Sequence, residues 1–216
     1  MHSLRSAFAE LCASSSLSTA LGPGQLTAAE WLTSGDWLCE NSSGQWVWGA
    51  GDAECRRAAF PVGQQLLLCT LAVPPSGAGV ASAAPEEEAE GGFAVVAAGG
   101  AAAAPAASGG AADSVTVALV YDFWWRTPRF YLYSATLGPS AILTRVVAAD
   151  QGGATATLEA LPLHRGGLLS VSLHPCKHAA VMASLMQGKA PHLYVCVLLK
   201  VLANSLPLLP IDAMHC

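Results

Sequence analysis

Residues 114–133 read SVTVALVYDFWWRTPRFYLY, and their pattern predicts two neighbouring β-strands. Val115, Val117 and Leu119 alternate with smaller or polar residues, which is the period of a strand with two different faces. A corner follows at Thr127-Pro128, and the chain then continues as an aromatic and apolar run. The short distance between the two runs favours an antiparallel pair.

Shorter strands are predicted on both sides of this pair. Before it, Trp46-Val47-Trp48 has the composition of a short strand. Residues 65–73 form an apolar run that we expect to be buried on both faces and closed by Pro74-Pro75. After the pair, three runs have strand character: residues 143–147, 155–158 and 169–173.

A helix is predicted in front of these strands by a capping box. Thr27-Ala28-Ala29-Glu30 has the spacing at which the threonine hydroxyl and the glutamate carboxylate satisfy each other's backbone N–H groups. The helix should continue to about Asp36 or Leu38. We expect Trp31 and Leu32 on its buried side.

Two more helices are predicted near the end of the sequence. Apolar residues recur at helical spacing after Lys177 until Gly188 ends the run. Residues 192–204 are apolar nearly all round and predict a buried last helix. Helices combined with an antiparallel strand pair predict the α+β class. The residues that recur at helical spacing in the earlier helix are Ala179, Met182, Leu185 and Met186.

The composition argues against a nucleic-acid-binding protein. Only 12% of the 216 residues are charged and the net charge is -5, so a basic surface is not expected. The length suits one domain, or one domain with a long insertion. Residues 77–112 are mostly alanine and glycine around an acidic group (Glu86-Glu87-Glu88 and Glu90), and they predict a flexible insertion. It would separate two parts of a core, residues 25–76 and 113–216.

The seven cysteines predict free thiols in a reducing compartment, the cytosol. Their number is odd, none form CxxC, and the chain does not start with the basic and apolar regions of a secretory signal. The most apolar stretch is residues 193–211. Lys200, Asn204, Pro207 and Pro210 interrupt it, so a buried core helix is a better interpretation than a membrane span.

Residues 1–24 predict an amphipathic helix that ends at Gly22-Pro23-Gly24. Leu4, Phe8 and Leu11 fall on one face, and the other face is rich in serine and poor in charge. This pattern suits a helix lying in a membrane interface. A helix docked on the domain would have the same pattern, so the residues alone leave both possibilities open.

Residues 172–182, SLHPCKHAAVM, contain the best candidate for a catalytic residue. Pro175 steers the residues before it into an extended conformation, and helical spacing begins after Lys177, so Cys176 should lie at or just before a helix start. Unpaired N–H groups and the helix dipole favour a thiolate there, and Lys177 and His178 add positive or protonatable groups. We therefore expect Cys176 to be a nucleophile.

Several alternatives for this cysteine remain at the level of local sequence. It could be a buried structural thiol. It could also bind a metal together with His174 and His178, although a structural zinc site needs four ligands and the sequence offers no second cluster at close spacing. If Cys176 is a nucleophile, protease, redox and acyl-transfer chemistry are all compatible with the motif.

Four groups of motifs along the chain together resemble one protein family. They are His174-Pro175-Cys176-Lys177-His178-Ala179-Ala180-Val181-Met182, which is similar to the family's active-site signature; Tyr121-Asp122 with Thr127-Pro128-Arg129, similar to its central hairpin; Leu26-Thr27-Ala28-Ala29-Glu30 with Gly35-Asp36 and Gln45-Trp46, similar to its N-terminal opening; and His192-Leu193-Tyr194 with Leu199-Lys200, similar to its penultimate helix. They occur in the family's order across almost the whole chain. On these residues, the chain is identified as a member of the autophagy-related protein 3 family.

The resemblance implies an α+β fold with a ubiquitin-conjugating-enzyme-like core, in which helices flank a mainly antiparallel sheet. It implies that Cys176 carries the C-terminal glycine of the ubiquitin-like autophagy-related protein 8 as a thioester and that phosphatidylethanolamine is the acceptor. The modifier would come from the activating enzyme, autophagy-related protein 7, and the autophagy-related 12–5 conjugate is a further expected partner. The expected protein is cytoplasmic and transiently on autophagic membrane, and neither a cofactor nor a metal is expected.

Residues around Cys176 are expected to support it. His174 should hold the loop by hydrogen bonding, with general-base action as the alternative. Together with Pro175, it shapes the approach to the nucleophile. His178 would tune the thiol or cap the turn, and Lys177 would be solvated or contact the modifier. In the family the first helix is a membrane-binding one, with its apolar face at the positions of Leu4, Phe8 and Leu11.

Two alternative functions remain beside the lipid-conjugating enzyme. One is the sister family of the autophagy-related protein 10 type, which transfers a different modifier to a protein lysine. Residues 177–182 and the amphipathic N-terminus favour the lipid enzyme. The other is a non-catalytic adaptor of the same fold, against which the intact His174-Pro175-Cys176 argues.

Overall fold

An antiparallel sheet forms the centre of the protein. The structure is a computed structural model that describes residues 22–74, 113–148 and 156–211. Its strands are β1 (Val47–Gly49), β2 (Leu66–Val73), β3 (Asp113–Asp122), β4 (Thr127–Tyr133), β5 (Ala156–Ala160) and β6 (Leu169–Leu173). Within the described residues they form one six-stranded sheet in the order β1-β2-β3-β4-β6-β5. All neighbouring strands in it are antiparallel.

The predicted strand pair is confirmed as β3 and β4. Their register places Thr116 opposite Tyr133 and Val120 opposite Arg129. On its other side β3 pairs with β2, with Asp113 opposite Val73. The two residues that flank the long connection therefore lie side by side, and strands from before and after this connection build a single sheet.

Helices pack on one face of the sheet. They are α1 (Ala28–Asn41), α2 (Pro139–Arg145), α3 (His178–Leu185) and α4 (Tyr194–Leu202), with single 3-10 turns at Ala53–Cys55, Pro175–Lys177 and Pro191–Leu193. The capping box predicted for α1 is present: Glu30 N–H donates to Thr27 Oγ1 at 3.1 Å, and Thr27 N–H donates to the Glu30 carboxylate at 2.8 Å. Together the two bonds satisfy donors that every helix start leaves unpaired.

The main hydrophobic core lies between the helices and this face. Alternate residues of each strand point into it, as the pleat of a sheet requires. Burying one such side chain contributes about 1.5–3 kcal/mol to folding. The largest fully buried side chains are Trp31, Trp46, Phe130, Leu38, Leu67, Leu119, Leu132, Ile142, Met182, Leu198, Leu199 and Leu206.

A smaller apolar cluster lies on the opposite face of the sheet. The connection between β5 and β6 contributes two of its leucines, and the rest come from β2, β3 and β4. The members are Leu66, Ala118, Val120, Tyr131, Leu161 and Leu163. Arg129 shares this face, because it is two residues from Tyr131 on β4 and its guanidinium lies 5.6 Å from the centre of the Tyr131 ring.

Several expectations from the sequence are confirmed by this architecture. The protein is of the α+β class, with an antiparallel sheet and flanking helices, as expected for a ubiquitin-conjugating-enzyme-like core. The last helix is buried nearly all round: in α4, residues 194–199 and Leu202 are buried and Lys200 is exposed. No helix in the described ranges has the length and apolarity that crossing a membrane demands.

The strand predicted at residues 143–147 is wrong. Residues 139–145 form α2, which begins at Gly138-Pro139, where proline occupies a helical position that needs no N–H donor. Val146 and Val147 follow the helix and are buried at its end. The three β-branched residues of this run, Thr144 and the two valines, were too short a signal to oppose the proline-initiated turn.

The burial predicted for β2 needs correction, and the burial of α3 could not be read from its helical spacing. Thr70 and Ala72 of β2 are exposed, because the cluster on the second face covers only part of this strand. In α3, Met182 is fully buried, but Leu185 is 40% exposed and the buried position belongs to His178 instead. Helical spacing indicated that this segment is helical, but it did not indicate that His178 is one of the buried residues of α3.

Some predicted segments lie outside the described residues. They include the N-terminal amphipathic helix with Leu4, Phe8 and Leu11, and the alanine- and glycine-rich insertion at residues 77–112. The division of the chain into residues 1–24, 25–76, 77–112 and 113–216 stays a prediction.

Candidate active site

The candidate nucleophile Cys176 lies in the short connection between the end of β6 and the start of α3. Strand β6 ends at Leu173, and His174 continues it in an extended conformation, with φ -72° and ψ 128°. Pro175 then opens the 3-10 turn Pro175–Lys177, which leads directly into α3. The extended-to-helical transition predicted around Cys176 is therefore present. It follows from a proline whose ring restricts the residue before it and suits the first position of a turn.

A hydrogen bond from the backbone of Cys176 holds this turn. Cys176 N–H donates to Nδ1 of the His174 ring over 3.1 Å. A ring nitrogen accepts only when it carries no proton, so the bond requires the tautomer or charge state in which Nδ1 is free of hydrogen. This is the loop-holding hydrogen bond expected of His174.

Cys176 differs from the other free thiols in its accessibility. It is exposed, whereas Cys69 is buried and Cys39 and Cys55 are partly buried. Burial raises the pKa of the Cys39 and Cys69 thiols to about 11, which keeps both protonated at neutral pH. An exposed thiol beside a helix start is the arrangement in which a cysteine can meet a large partner.

The expectation of free thiols is wrong for Cys196. This residue lies fully buried in α4 and is disulfide-bonded. An odd number of cysteines guarantees that one thiol is left over, but it does not exclude a pair.

His178 faces the core rather than the nucleophile's solvent side. His178 as a whole is 8% exposed, and its ring lies edge-on to Phe130, with 6.2 Å between ring centres. Burial lowers the pKa of His178, the nearby His174 lowers it further, and a hydrogen bond with the Pro128 carbonyl opposes the shift. Among the described residues, no hydrogen-bond partner lies near its Nδ1. His178 therefore anchors the start of α3 to β4 as a neutral ring, and Lys177 beside it is exposed.

The turn between β3 and β4 forms a wall of the site that the sequence reasoning missed. Asp122 Oδ1 accepts the N–H groups of Trp124 at 2.9 Å and Trp125 at 3.1 Å. The indole of Trp125 then meets the His174 ring edge-to-face, with 5.5 Å between ring centres and 74° between planes. An aspartate followed by a short non-strand segment is a recognised turn signal, but nothing in it indicates a contact about 50 residues along the chain.

A buried arginine behind this turn was also missed. Arg129 is 2% exposed, and its guanidinium lies 2.5 Å from the Glu159 carboxylate and 3.9 Å from that of Asp122. Its Nε donates to Ser172 Oγ at 2.9 Å. Arg129 thus links β3, β4, β5 and β6 on the face opposite the helices. Charged groups are buried only when they are paired in this way.

The predicted site residues fall into two groups in the structure. His174, Pro175, Cys176, Lys177 and His178 lie together on one loop, as their sequence positions require. The three predicted membrane-contacting residues lie outside the described residues. Across the ranges that the structure describes, no group of three or more histidine, cysteine, aspartate or glutamate side chains is arranged to hold a metal ion.

Comparison with known proteins identifies relatives over this same region. The family model described as "Autophagocytosis associated protein, active-site domain" matches residues 30–213, most of the chain. The autophagy-related protein 3 of Kluyveromyces lactis is 40% identical over 74 residues, covering 32% of this chain and 24% of that protein. The protein of the same name from Schizosaccharomyces pombe is 30% identical over 105 residues, 44% of this chain and 38% of the relative.

The aligned regions span less than half the length of these curated relatives. The family match is broader, because it includes the hairpin of β3 and β4, the loop of Cys176 and the helices that follow. The motifs that suggested the family from the sequence lie mostly within it, and the fold agrees with the one that the resemblance implied. The chain therefore belongs to the family of autophagocytosis-associated proteins with this active-site domain, the autophagy-related protein 3 family.

Proposed function

We propose that this protein is a ubiquitin-conjugating-enzyme-like transferase of autophagy that carries a modifier as a thioester on Cys176. The observation that carries the proposal is the exposed thiol at the junction of β6 and α3, held by the His174 hydrogen bond. The family match supports the same class of activity. The modifier is autophagy-related protein 8 and the acceptor is phosphatidylethanolamine.

The first step is a thioester exchange. The Cys176 thiolate attacks the carbonyl carbon of the modifier's C-terminal glycine, which autophagy-related protein 7 presents as its own thioester. The new carbon–sulfur bond forms as the bond to the activating enzyme's cysteine breaks, and that thiolate takes up the proton that Cys176 lost. The reaction conserves acyl-transfer potential because one thioester replaces another.

The second step transfers the glycyl group to an amine. The amino group of phosphatidylethanolamine attacks the Cys176 thioester, an amide bond forms, and the Cys176 thiolate leaves while the amine loses a proton. Negative charge develops on the carbonyl oxygen in each step. The proposed donors for this oxygen are backbone N–H groups in the first turn of α3 beyond His178, whose own N–H donates to the Pro175 carbonyl.

A lipid acceptor requires the protein to reach a bilayer. The proposed anchor is the N-terminal amphipathic helix with Leu4, Phe8 and Leu11 on its apolar face. The protein would then be cytoplasmic and only transiently on autophagic membrane. The autophagy-related 12–5 conjugate is a further proposed partner at that membrane.

A non-reducing gel tests the thioester. The protein is incubated with autophagy-related protein 7, ATP and autophagy-related protein 8. We expect an adduct that disappears on adding thiol and is absent in Cys176→Ala. The matched control is Cys55→Ala, which removes a partly buried free thiol and should leave the adduct unchanged. A chain that forms no adduct in the unmodified form is not this enzyme, and the non-catalytic adaptor would then be preferred.

Liposomes distinguish the acceptors. Vesicles with phosphatidylethanolamine should give a thiol-resistant lipidated modifier, and vesicles of phosphatidylcholine alone should not. Transfer that needs no phosphatidylethanolamine and instead modifies a protein lysine would favour the sister family. Phe8→Asp should abolish lipidation while sparing the thioester, because a charge on the apolar face opposes insertion. Unchanged lipidation by this variant would exclude the membrane role of the helix.

A further inference from the structure

The β3–β4 turn contacts the active-site loop through the ring of Trp125, which meets the His174 ring. Two tryptophans follow one another in this turn, and their surroundings differ. Trp125 is partly buried and its ring meets His174, whereas the Trp124 side chain is 50% exposed. His174 in turn accepts the N–H of Cys176. The three residues Trp125, His174 and Cys176 therefore form a continuous series of contacts that ends at the nucleophile.

The turn that presents Trp125 is rigidly held on both sides. Besides the two N–H groups that Asp122 accepts, Arg126 N–H donates to the Asp122 carbonyl at 2.7 Å, and Arg126 has a left-handed conformation with φ 52°. From the other side, Gln25 Nε2 donates to the Trp125 carbonyl at 3.3 Å. Leu26 N–H donates to the Arg126 carbonyl at 2.8 Å. Because these hydrogen bonds fix the backbone of the turn, they hold the Trp125 side chain in one position.

The position of the His174 ring decides whether its hydrogen bond to Cys176 exists. An imidazole on the surface samples several rotamers, and only one of them places Nδ1 against the Cys176 N–H. An edge-to-face contact favours one ring orientation over the others by about 2- to 10-fold. The Trp125 indole supplies such a contact to the partly buried His174 ring.

We propose that Trp125 is a positioning residue of the active site: its indole holds the His174 ring in the orientation that fixes the Cys176 backbone and presents the thiol. Trp125 acts through His174 and does not touch the thioester. The predicted effect of Trp125 on transfer rates rests on the proposed function. The predicted effect on the geometry of the loop does not depend on that function, so experiments can test the positioning role and the function separately.

The test is a double-mutant cycle with Trp125→Leu, His174→Ala and the combined variant. The first readout is hydrogen exchange of the Cys176 amide, followed by NMR, which reports the His174 bond whether or not the protein is an enzyme. We expect Trp125→Leu to speed this exchange by about 2- to 10-fold. In the His174→Ala background the same change should add nothing, since the contact that Trp125 supports is already gone.

Matched variants exclude a general effect on the fold. Trp124→Leu removes the same side chain from the same turn and should leave Cys176 exchange unchanged. Trp125→Phe retains an aromatic ring and should restore most of the protection. If Trp125→Leu does not fold, as judged by circular dichroism, Trp125→Gln supplies a second non-aromatic variant that suits a partly buried position. Equal effects of the Trp124 and Trp125 variants, or additive effects in the cycle, would overturn the inference.

The second readout is the rate of thioester formation on Cys176. Trp125→Leu should slow it by about 2- to 10-fold, again without further loss in the His174→Ala background. If the unmodified protein forms no thioester but the exchange cycle behaves as expected, the proposed function fails and the positioning role stands. If the thioester forms and the exchange cycle is additive, the positioning role fails and the function stands.

Discussion

Replacing Gly24 with alanine tests how closely the start of the described chain packs on the active-site helix. A Cβ built on Gly24 would lie 1.9 Å from the Ala179 carbonyl oxygen and 2.5 Å from the Ala183 nitrogen. Both contacts are with the backbone of α3, which cannot swing away as a side chain can. To reach a normal contact, the turn would have to move by more than about 1 Å.

The magnitude follows from what that movement breaks. The Tyr194 hydroxyl donates to the Gly24 carbonyl at 2.7 Å, and Leu26 N–H donates to the Arg126 carbonyl at 2.8 Å. Each lost bond costs about 1 kcal/mol. The left-handed conformation of Gly24, with φ +75°, adds about 1 kcal/mol for a residue with a Cβ. We expect Gly24→Ala to lower the free energy of unfolding by about 3 kcal/mol.

Gly44→Ala is the matched control for this change. Gly44 has nearly the same conformation, with φ +79°, but no atom of the described part of the chain lies within 4 Å of an added Cβ. It should cost only the conformational part, about 1 kcal/mol. Both variants are measured by urea unfolding followed by circular dichroism, with equal slopes as the check on two-state behaviour. If the two variants agree to within about 0.5 kcal/mol, the close packing of Gly24 on α3 is not real.

Three further predictions concern the buried charges and thiols. Arg129→Met should lower the free energy of unfolding by about 3 kcal/mol, because it leaves the Asp122 and Glu159 carboxylates without their charged partner. Glu159→Gln should lower it by less, because the Glu159 side chain is partly exposed. Urea unfolding of both variants measures the two costs, and equal costs would contradict the prediction. Because burial lowers the pKa of His178, folding favours its neutral form, so stability is complete above the unfolded pKa near 6.5 and declines as the pH falls through the folded pKa. Unfolding curves between pH 7.5 and 5 should show this decline, and His178→Gln should lessen it; an undiminished decline would assign the effect to other groups. One equivalent of iodoacetamide at pH 7 should label Cys176 before Cys39 and Cys69, whose pKa values lie at about 11, as peptide mass mapping would show; preferential labelling of either buried thiol would refute the burial argument.

The parts of the fold that were predictable depend on contacts between near neighbours in sequence. Alternation along residues 114–133 identified β3 and β4, and Thr27 with Glu30 identified the start of α1. The proline of residues 174–176 likewise marked the transition at the nucleophile. In each case the signal and the structure lie within one turn or one strand pair, where steric and hydrogen-bonding rules act directly.

The rest depended on contacts between residues far apart in sequence. Trp125 meets His174 only because β4 and β6 are neighbours in the sheet, and no periodicity records that pairing. The burial of Arg129 depends on Glu159 of β5, which no signal near Arg129 in the sequence indicates. His178 was expected beside the thiol, but the direction in which α3 leaves the loop turns its ring into the core. In all three cases, contacts between residues far apart in sequence determine where the side chain lies.

Because Val73 and Asp113 lie side by side in the sheet, the length of the connection between them can change without moving the strand ends apart. The free energy of closing a connection between adjacent strand ends grows only with the logarithm of its length, about 0.6 kcal/mol for each doubling of a flexible chain. Shortening or lengthening residues 77–112 should thus leave the core nearly as stable as before.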